Sequence, residues 1–148
     1  MTNLGIIAFI ILLVVVVLLG YAVNRLVIAP NRKTVRYASS AEFKKDEIVR
    51  EQVLANFLGL ESQRDKKPGL GNLVLSAKKL WFYRSEPQLT VDIALADITG
   101  VELAKTHLGH TTGKPLLLVR FAGPSGPDSV AFHLPYPDEW RLAINNLR

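Results

Sequence analysis

The sequence contains no cysteine. A disulfide framework, a thiolate metal site and a cysteine nucleophile are therefore excluded, and the composition fits a reducing compartment. Charge is absent up to Asn24, so all 18 Lys and Arg and all 13 Asp and Glu follow the first 24 residues. The chain has no internal repeat and no low-complexity tract. It has no H-E-x-x-H motif and no nucleophile elbow, and its carboxylates are scattered without an evident pair. These gaps argue against an enzyme and against a bound cofactor. Gly109 to Lys114 imitates a phosphate loop, but only three residues separate its glycines where four are needed, and Pro115 stands where a helix should begin. His107 and His110 form an H-x-x-H pair without a nearby carboxylate, and two ligands do not hold zinc tightly. No metal site is expected.

The first thing present is greasy. Leu4 to Val23 reads LGIIAFIILLVVVVLLGYAV, twenty residues without a charge. At about 1.5 Å per residue such a helix spans roughly 30 Å, the hydrocarbon thickness of a bilayer. A secretory signal would have a basic start, a shorter apolar core and a small-residue cleavage site. Met1, Thr2 and Asn3 supply no side-chain charge, and the run ends in Asn24-Arg25-Leu26. The expectation is a single transmembrane helix over residues 4–23, anchored in membrane lipid. Arg25, Arg32, Lys33 and Arg36 flank it on the carboxyl side, and basic flanks stay in the cytoplasm. The N-terminus is thus expected outside a plasma or inner membrane and the rest of the chain inside. Tyr21 suits the inner interface. Attraction of these basic groups to anionic lipid is a further expectation, at about 1 kcal/mol each. The formal charge of +5 is mild and belongs wholly to the part outside the apolar run, which does not by itself point to nucleic acid.

Residues 24–46 read as a basic linker, with Pro30, Asn31, Ser39 and Ser40, little periodicity, and at most a helical turn around Ser40–Phe43. As a flexible coil it would reach roughly 25 Å. From residue 47 the pattern becomes β. Strands are expected over 48–60, bent near Gly59, then over 71–76, 80–84, 89–95, 98–103, 116–121 and 129–134. Arg64 to Gly69, Ala77 to Lys79, Ser85 to Gln88 and Gly123 to Asp128 connect them as turns. Leu89, Val91, Ile93 and Leu95 alternate with Thr90, Asp92 and Ala94. In the aromatic run, Trp81 and Tyr83 share one face and Phe82 takes the other. Pro137, Asp138 and Glu139 suit a helix's first turn, after which Trp140, Ala143, Ile144 and Leu147 form one apolar stripe. Six to seven antiparallel strands must curl to hide their edges, and the helix should cap the open end with Trp140 as its anchor.

Gly71-Asn72-Leu73-Val74-Leu75-Ser76-Ala77-Lys78-Lys79-Leu80-Trp81-Phe82 resembles the G-x-L-x-L-T-x-x-R-L-x-F run of GRAM and related bacterial pleckstrin-homology-like domains. Ile93 to Val101 resembles their I-x-L-x-D-I-x-x-V segment. Ser76 stands for the usual Thr and Lys79 for the usual Arg. The resemblance covers residues 47–148. It implies a bent, partly open barrel of six to seven antiparallel strands closed by a C-terminal helix, in a family that is mostly non-enzymatic and binds lipids or proteins.

Lys66 and Lys67 lie in the first strand connection and Arg84 closes the third strand, which places all three at one end of a meander. Inositol-phosphate-binding members of the family use that end, so Lys66, Lys67 and Arg84 are the candidate anion site, although the linear phosphoinositide motif is not reproduced. Lys78 and Lys79 fall at the opposite end and read as a charged turn. The function expected is a protein-interaction adaptor or scaffold at the membrane, with a partner on a strand edge or beside the final helix. The alternative is a module that grips anionic lipid headgroups.

Overall fold

The structure is a computed structural model that describes residues 3–148. It divides into two compact units, residues 1–34 and 35–148. In the first, α1 (Asn3–Val23) is helical throughout and has no buried residue. It is long and apolar enough to cross a membrane by length and composition. A wide π turn follows over Asn24–Ile28, where the Ala29 amide reaches back to the Asn24 carbonyl. It comes directly before Pro30, which lacks an amide donor and crowds the preceding turn. A π turn is a common relief for that strain.

Helix α2 (Ala29–Glu42) begins in the first unit and ends in the second. The flexible linker expected over residues 24–46 is therefore helical over most of its length. In the second unit the last two turns of α2 bury Val35 and Ser39. That stripe has too few apolar residues to show as periodicity. A 3-10 turn over Lys45–Glu47 then leads into the sheet.

Seven strands follow: β1 (Ile48–Leu60), β2 (Gly69–Ser76), β3 (Lys79–Ser85), β4 (Gln88–Ala94), β5 (Ile98–Ala104), β6 (Leu116–Gly123) and β7 (Gly126–His133). They form one antiparallel sheet in the order β4-β3-β2-β1-β7-β6-β5, so β4 and β5 are its two ends. Strand β1 belongs to both halves because it bends. One bulge lies at Leu54, which has a positive φ of 62°, and a register shift falls between Phe57 and Leu60 around Gly59 at φ 121°. Gly59 matches the expected bend; the Leu54 bulge has no glycine to announce it.

The sheet curls around one inner cluster to which every strand contributes, including Phe57, Leu73, Phe82, Val91, Leu117 and Phe132. Helix α3 (Pro137–Leu147) closes it: Trp140 is 1% exposed and Ile144 fully buried within that cluster. Ala143 packs against the cluster, while Leu147 at the end of the expected stripe is exposed. Arg50 on β1 ties α3 down by an ion pair with Glu139 and by stacking over the Trp140 ring at 5.5 Å. At Gly71 the fold tolerates no side chain, since a Cβ would sit 2.3 Å from the Tyr83 carbonyl oxygen. The domain thus has the architecture expected from the sequence: seven antiparallel strands in one open, curled sheet and a C-terminal helix.

Candidate functional site

Three places can meet a ligand: the loop end of the sheet, its free edges, and its outer face. The loop end carries the sequence-predicted cluster. Lys66 and Lys67 are exposed in the connection between β1 and β2. Arg84 is not exposed. It points to the inner side of β3 and keeps only 2% of its surface accessible. Its Nε donates to the Pro87 carbonyl at 2.9 Å and an Nη donates to the Lys67 carbonyl at 2.6 Å, while the guanidinium lies 5.6 Å from the Phe57 ring centroid. Burial lowers its pKa from the ordinary arginine value. The expected grouping of three cations facing an anion is corrected on this point. Arg84 braces the loop from beneath by its backbone, because two carbonyls and an aromatic face already surround its charge.

The remaining charges at that end cancel. Arg64, Lys66 and Lys67 are matched by Glu61 and Asp65 in the same connection and Glu86 in the next. Lys66 lies 3.8 Å from Asp65, and Arg64 lies 4.0 Å from Glu61. Beside them, Asp128 accepts from the Ser62 amide and hydroxyl, and Glu61 accepts from the Ser129 hydroxyl. This end is a neutral, internally bonded rim rather than a cationic basin, and it lacks the field that would concentrate a phosphate.

The free edges belong to β4 and β5. Beside β5 lies α3, and the Arg148 guanidinium donates to the Ile98 carbonyl at 2.9 Å where β5 begins. Leu103 on β5 and Leu142 and Leu147 on α3 are exposed apolar side chains on these two elements. An unpaired strand with exposed leucines is a template for an added strand.

The outer face is covered in two pieces. Over β1–β3, Phe43 packs edge-on against Trp81 with ring centroids 5.6 Å apart, and Trp81 stacks on Tyr83 at 5.8 Å. This confirms the alternation expected of the aromatic run, with Phe82 on the inner side. Lys79, expected to be a charged turn residue, instead joins elements. Its Nζ bonds Asp92 on β4 at 2.8 Å, also bonds Glu42 at the end of α2, and sits 5.3 Å from the Phe43 ring centroid. Burial pulls the Lys79 pKa down, but hydrogen bonds and charge from Asp92 and Glu42 outweigh it and hold the value above the ordinary lysine range. Ser39 and the fully buried Asn72 both donate to one Glu51 oxygen, at 3.0 and 2.6 Å. The bonds of Ser39 to Glu51 and of Lys79 to Glu42 were not legible in advance, because both depend on α2 lying over the sheet.

On the other half, the connection between β5 and β6 folds back to β1. His107 is 6% exposed and its Nε2 lies 3.1 Å from the Gly59 carbonyl oxygen. His107 and His110 exchange two backbone hydrogen bonds, at 3.0 and 2.8 Å. Among the described residues no group of three His, Asp or Glu side chains could share a metal ion.

No protein-family model matches the chain, and no curated protein does either. Solved structures do match in fold. A chain of the 8S snRNP assembly intermediate is similar over 70% of this chain and 84% of its own length, with TM-score 0.54 and 10% identity. The C-terminal domain of an unknown protein from Leishmania infantum is similar over 75% and 89%, with TM-score 0.50 and 10% identity. The Vps36 N-terminal PH domain aligns over 71% and 82%, with TM-score 0.49 and 14% identity. At such identities the likeness of the first two is one of fold alone.

Proposed function

We propose that this chain is a single-pass membrane protein, with its N-terminus outside and a non-enzymatic, GRAM-like adaptor domain at the cytoplasmic face of a plasma or inner membrane. The adaptor holds a protein partner as an extended segment on the free edge of β5, beside α3. The supporting observation is the pairing order, which leaves β5 unpaired on one side and next to a helix, with Leu103 exposed on it. Backbone hydrogen bonds would supply affinity there and alternate side chains specificity. The anchor is supported by α1, whose length and uncharged composition suit a bilayer, and the orientation by Arg25, Arg32, Lys33 and Arg36. Headgroup binding through Lys66 and Lys67 is the rival, and the balanced charges around those lysines weigh against it.

Photo-crosslinking in native membranes tests the reading. A photoreactive residue at Leu103 should yield a discrete protein adduct, and one at Lys66 should not. Adducts to lipid at Lys66 with none to protein at Leu103 would reverse the assignment. Protease protection of a carboxyl-terminal tag in sealed vesicles tests the orientation separately.

A further inference from the structure

Arg36 was expected to set topology and to be drawn with the other flanking basic residues to anionic lipid, while Lys44 and Lys45 had no expected role. The structure brings these three together. In the second unit they line one groove of about 710 Å³, with Ser39, Ser40, Phe43, Ile48 and Glu51. Helix α2 supplies Arg36 and Ser40; Lys44 directly precedes the 3-10 turn before β1, and Lys45 opens it. The buried Phe43 ring and Ile48 give the groove an apolar floor beneath a cationic rim.

The charge in this groove is not consumed internally. Arg50, Lys79, Arg120 and Arg141 all form ion pairs, whereas Arg36, Lys44 and Lys45 form none among the described residues. The one carboxylate in the groove is Glu51, and one of its oxygens is occupied by Ser39 and Asn72. Glu47 at the margin is turned to the Lys44 amide at 2.7 Å. The residues lining the groove therefore carry three cations against one carboxylate, with Asp46 and Glu47 on the adjoining turn outside the lining. Three flexible donors around a concavity suit a phosphate group, which can accept from several of them together.

We propose that this groove binds the phosphate of an anionic lipid headgroup. The choice of a lipid rests on the membrane-anchor reading. Thirteen residues lead from Val23 to Arg36, so the groove stays within about 45 Å of the apolar segment even at full extension. A tethered site needs little intrinsic affinity, since the tether fixes a high local headgroup concentration. The lipid contact thus lies at the segment that enters the domain rather than at the loop end that the family resemblance implied.

The full chain, reconstituted in nanodiscs, tests this. Amide NMR shifts of Ser40, Lys44, Lys45 and Ile48 are compared in phosphatidylcholine discs and in discs with about one-third phosphatidylglycerol, a proportion giving strong surface potential. The expected result is a salt-sensitive response to phosphatidylglycerol, lost in Arg36→Gln/Lys44→Gln/Lys45→Gln and kept in Lys66→Gln/Lys67→Gln. A response to inorganic phosphate alone in phosphatidylcholine discs would assign the groove to a soluble phosphate and overturn the lipid source. Unchanged shifts under both probes, or loss only in the Lys66/Lys67 variant, would overturn the site itself. Failure of the chain to co-purify with either disc would sink the anchor reading instead, and the inorganic phosphate arm would still test the groove. The triple variant's unperturbed β-strand shifts show that it is folded.

Discussion

The outer face of the sheet is hidden by two different covers, and the difference between them lies in their chemistry. Over β1–β3 the cover is the end of α2 with Phe43, held by aromatic contact and by Lys79 between two carboxylates. Over the other half, the cover is the connection between β5 and β6, held by His107 and Leu108 against Gly59. Leu58, Leu116, Leu118 and Ala131 form a small apolar cluster on that half. The first cover brings large apolar area and a cation that stays charged. The second brings the turn of His107 and Leu108 and a histidine whose pKa is lowered by burial. The first should be the stronger near neutral pH, and the second should respond to acid.

The largest break in this comparison is Phe43→Ala. It removes the ring against Trp81 and the face beneath Lys79, and a loss of about 3 kcal/mol is expected, the lower end for a buried Phe. Amide exchange of Val74 and Trp81 should rise accordingly, with that of His107 unchanged. Equal acceleration on both halves would mean the covers open as one unit.

On the second cover, Gly59→Ala should cost about 2 kcal/mol. Its φ of 121° is rarely adopted by a side-chain-bearing residue, and a Cβ would meet Leu108 Cδ1 at 2.9 Å. Adding Leu108→Ala should recover only part of the loss, because it removes the clash and leaves the backbone strain. Full recovery would show that the clash alone mattered.

Acid separates the covers without mutation. Burial depresses the His107 pKa below 6.5, despite the opposing Gly59 carbonyl and Glu61; His110 and Arg120 lower it further. A base whose folded pKa lies below its unfolded pKa loses stability as pH falls, because the open state takes up the proton first. Protection of the His107 amide should therefore hold above pH 6.5, fall below it, and level off once the folded form is protonated too. Protection of the Trp81 amide should stay flat, since Lys79 has a raised pKa and its contribution fades only above its unfolded value of 10.5. In His107→Gln the slope below pH 6.5 should vanish.

The sequence made the strands, the bend at Gly59 and the capping helix readable, because each rests on local periodicity or turn chemistry. Leu89 to Leu95 alternates in burial as its pattern demands, and Trp140 is buried as its stripe demands. The covers were not readable. Val35 and Ser39 bury a stripe containing one strongly apolar residue, so residues 24–46 scanned as a linker. Arg84 was grouped with Lys66 and Lys67 for its place at that end of the sheet, yet the alternation that turns Phe82 inward turns Arg84 inward as well, where it lies over Phe57. Arg36 and Lys44 or Lys45 could not be grouped before α2 was known to be helical.

The smallest effect sharpens the comparison most, because it isolates charge from area. Lys79→Met keeps much of the aliphatic stem over Phe43 and deletes the cation that joins Glu42 to Asp92. Both carboxylates are substantially exposed, so water screens the pair and a loss of about 0.5–1 kcal/mol is expected at low salt. The loss should shrink at high salt, where the wild-type pair is screened. Amide exchange at Trp81, measured at two ionic strengths, reads it. A salt-independent loss as large as that of Phe43→Ala would mean that the helix is held on the sheet by Lys79 packing and not by the aromatic ring, reversing the order of forces assigned to this cover.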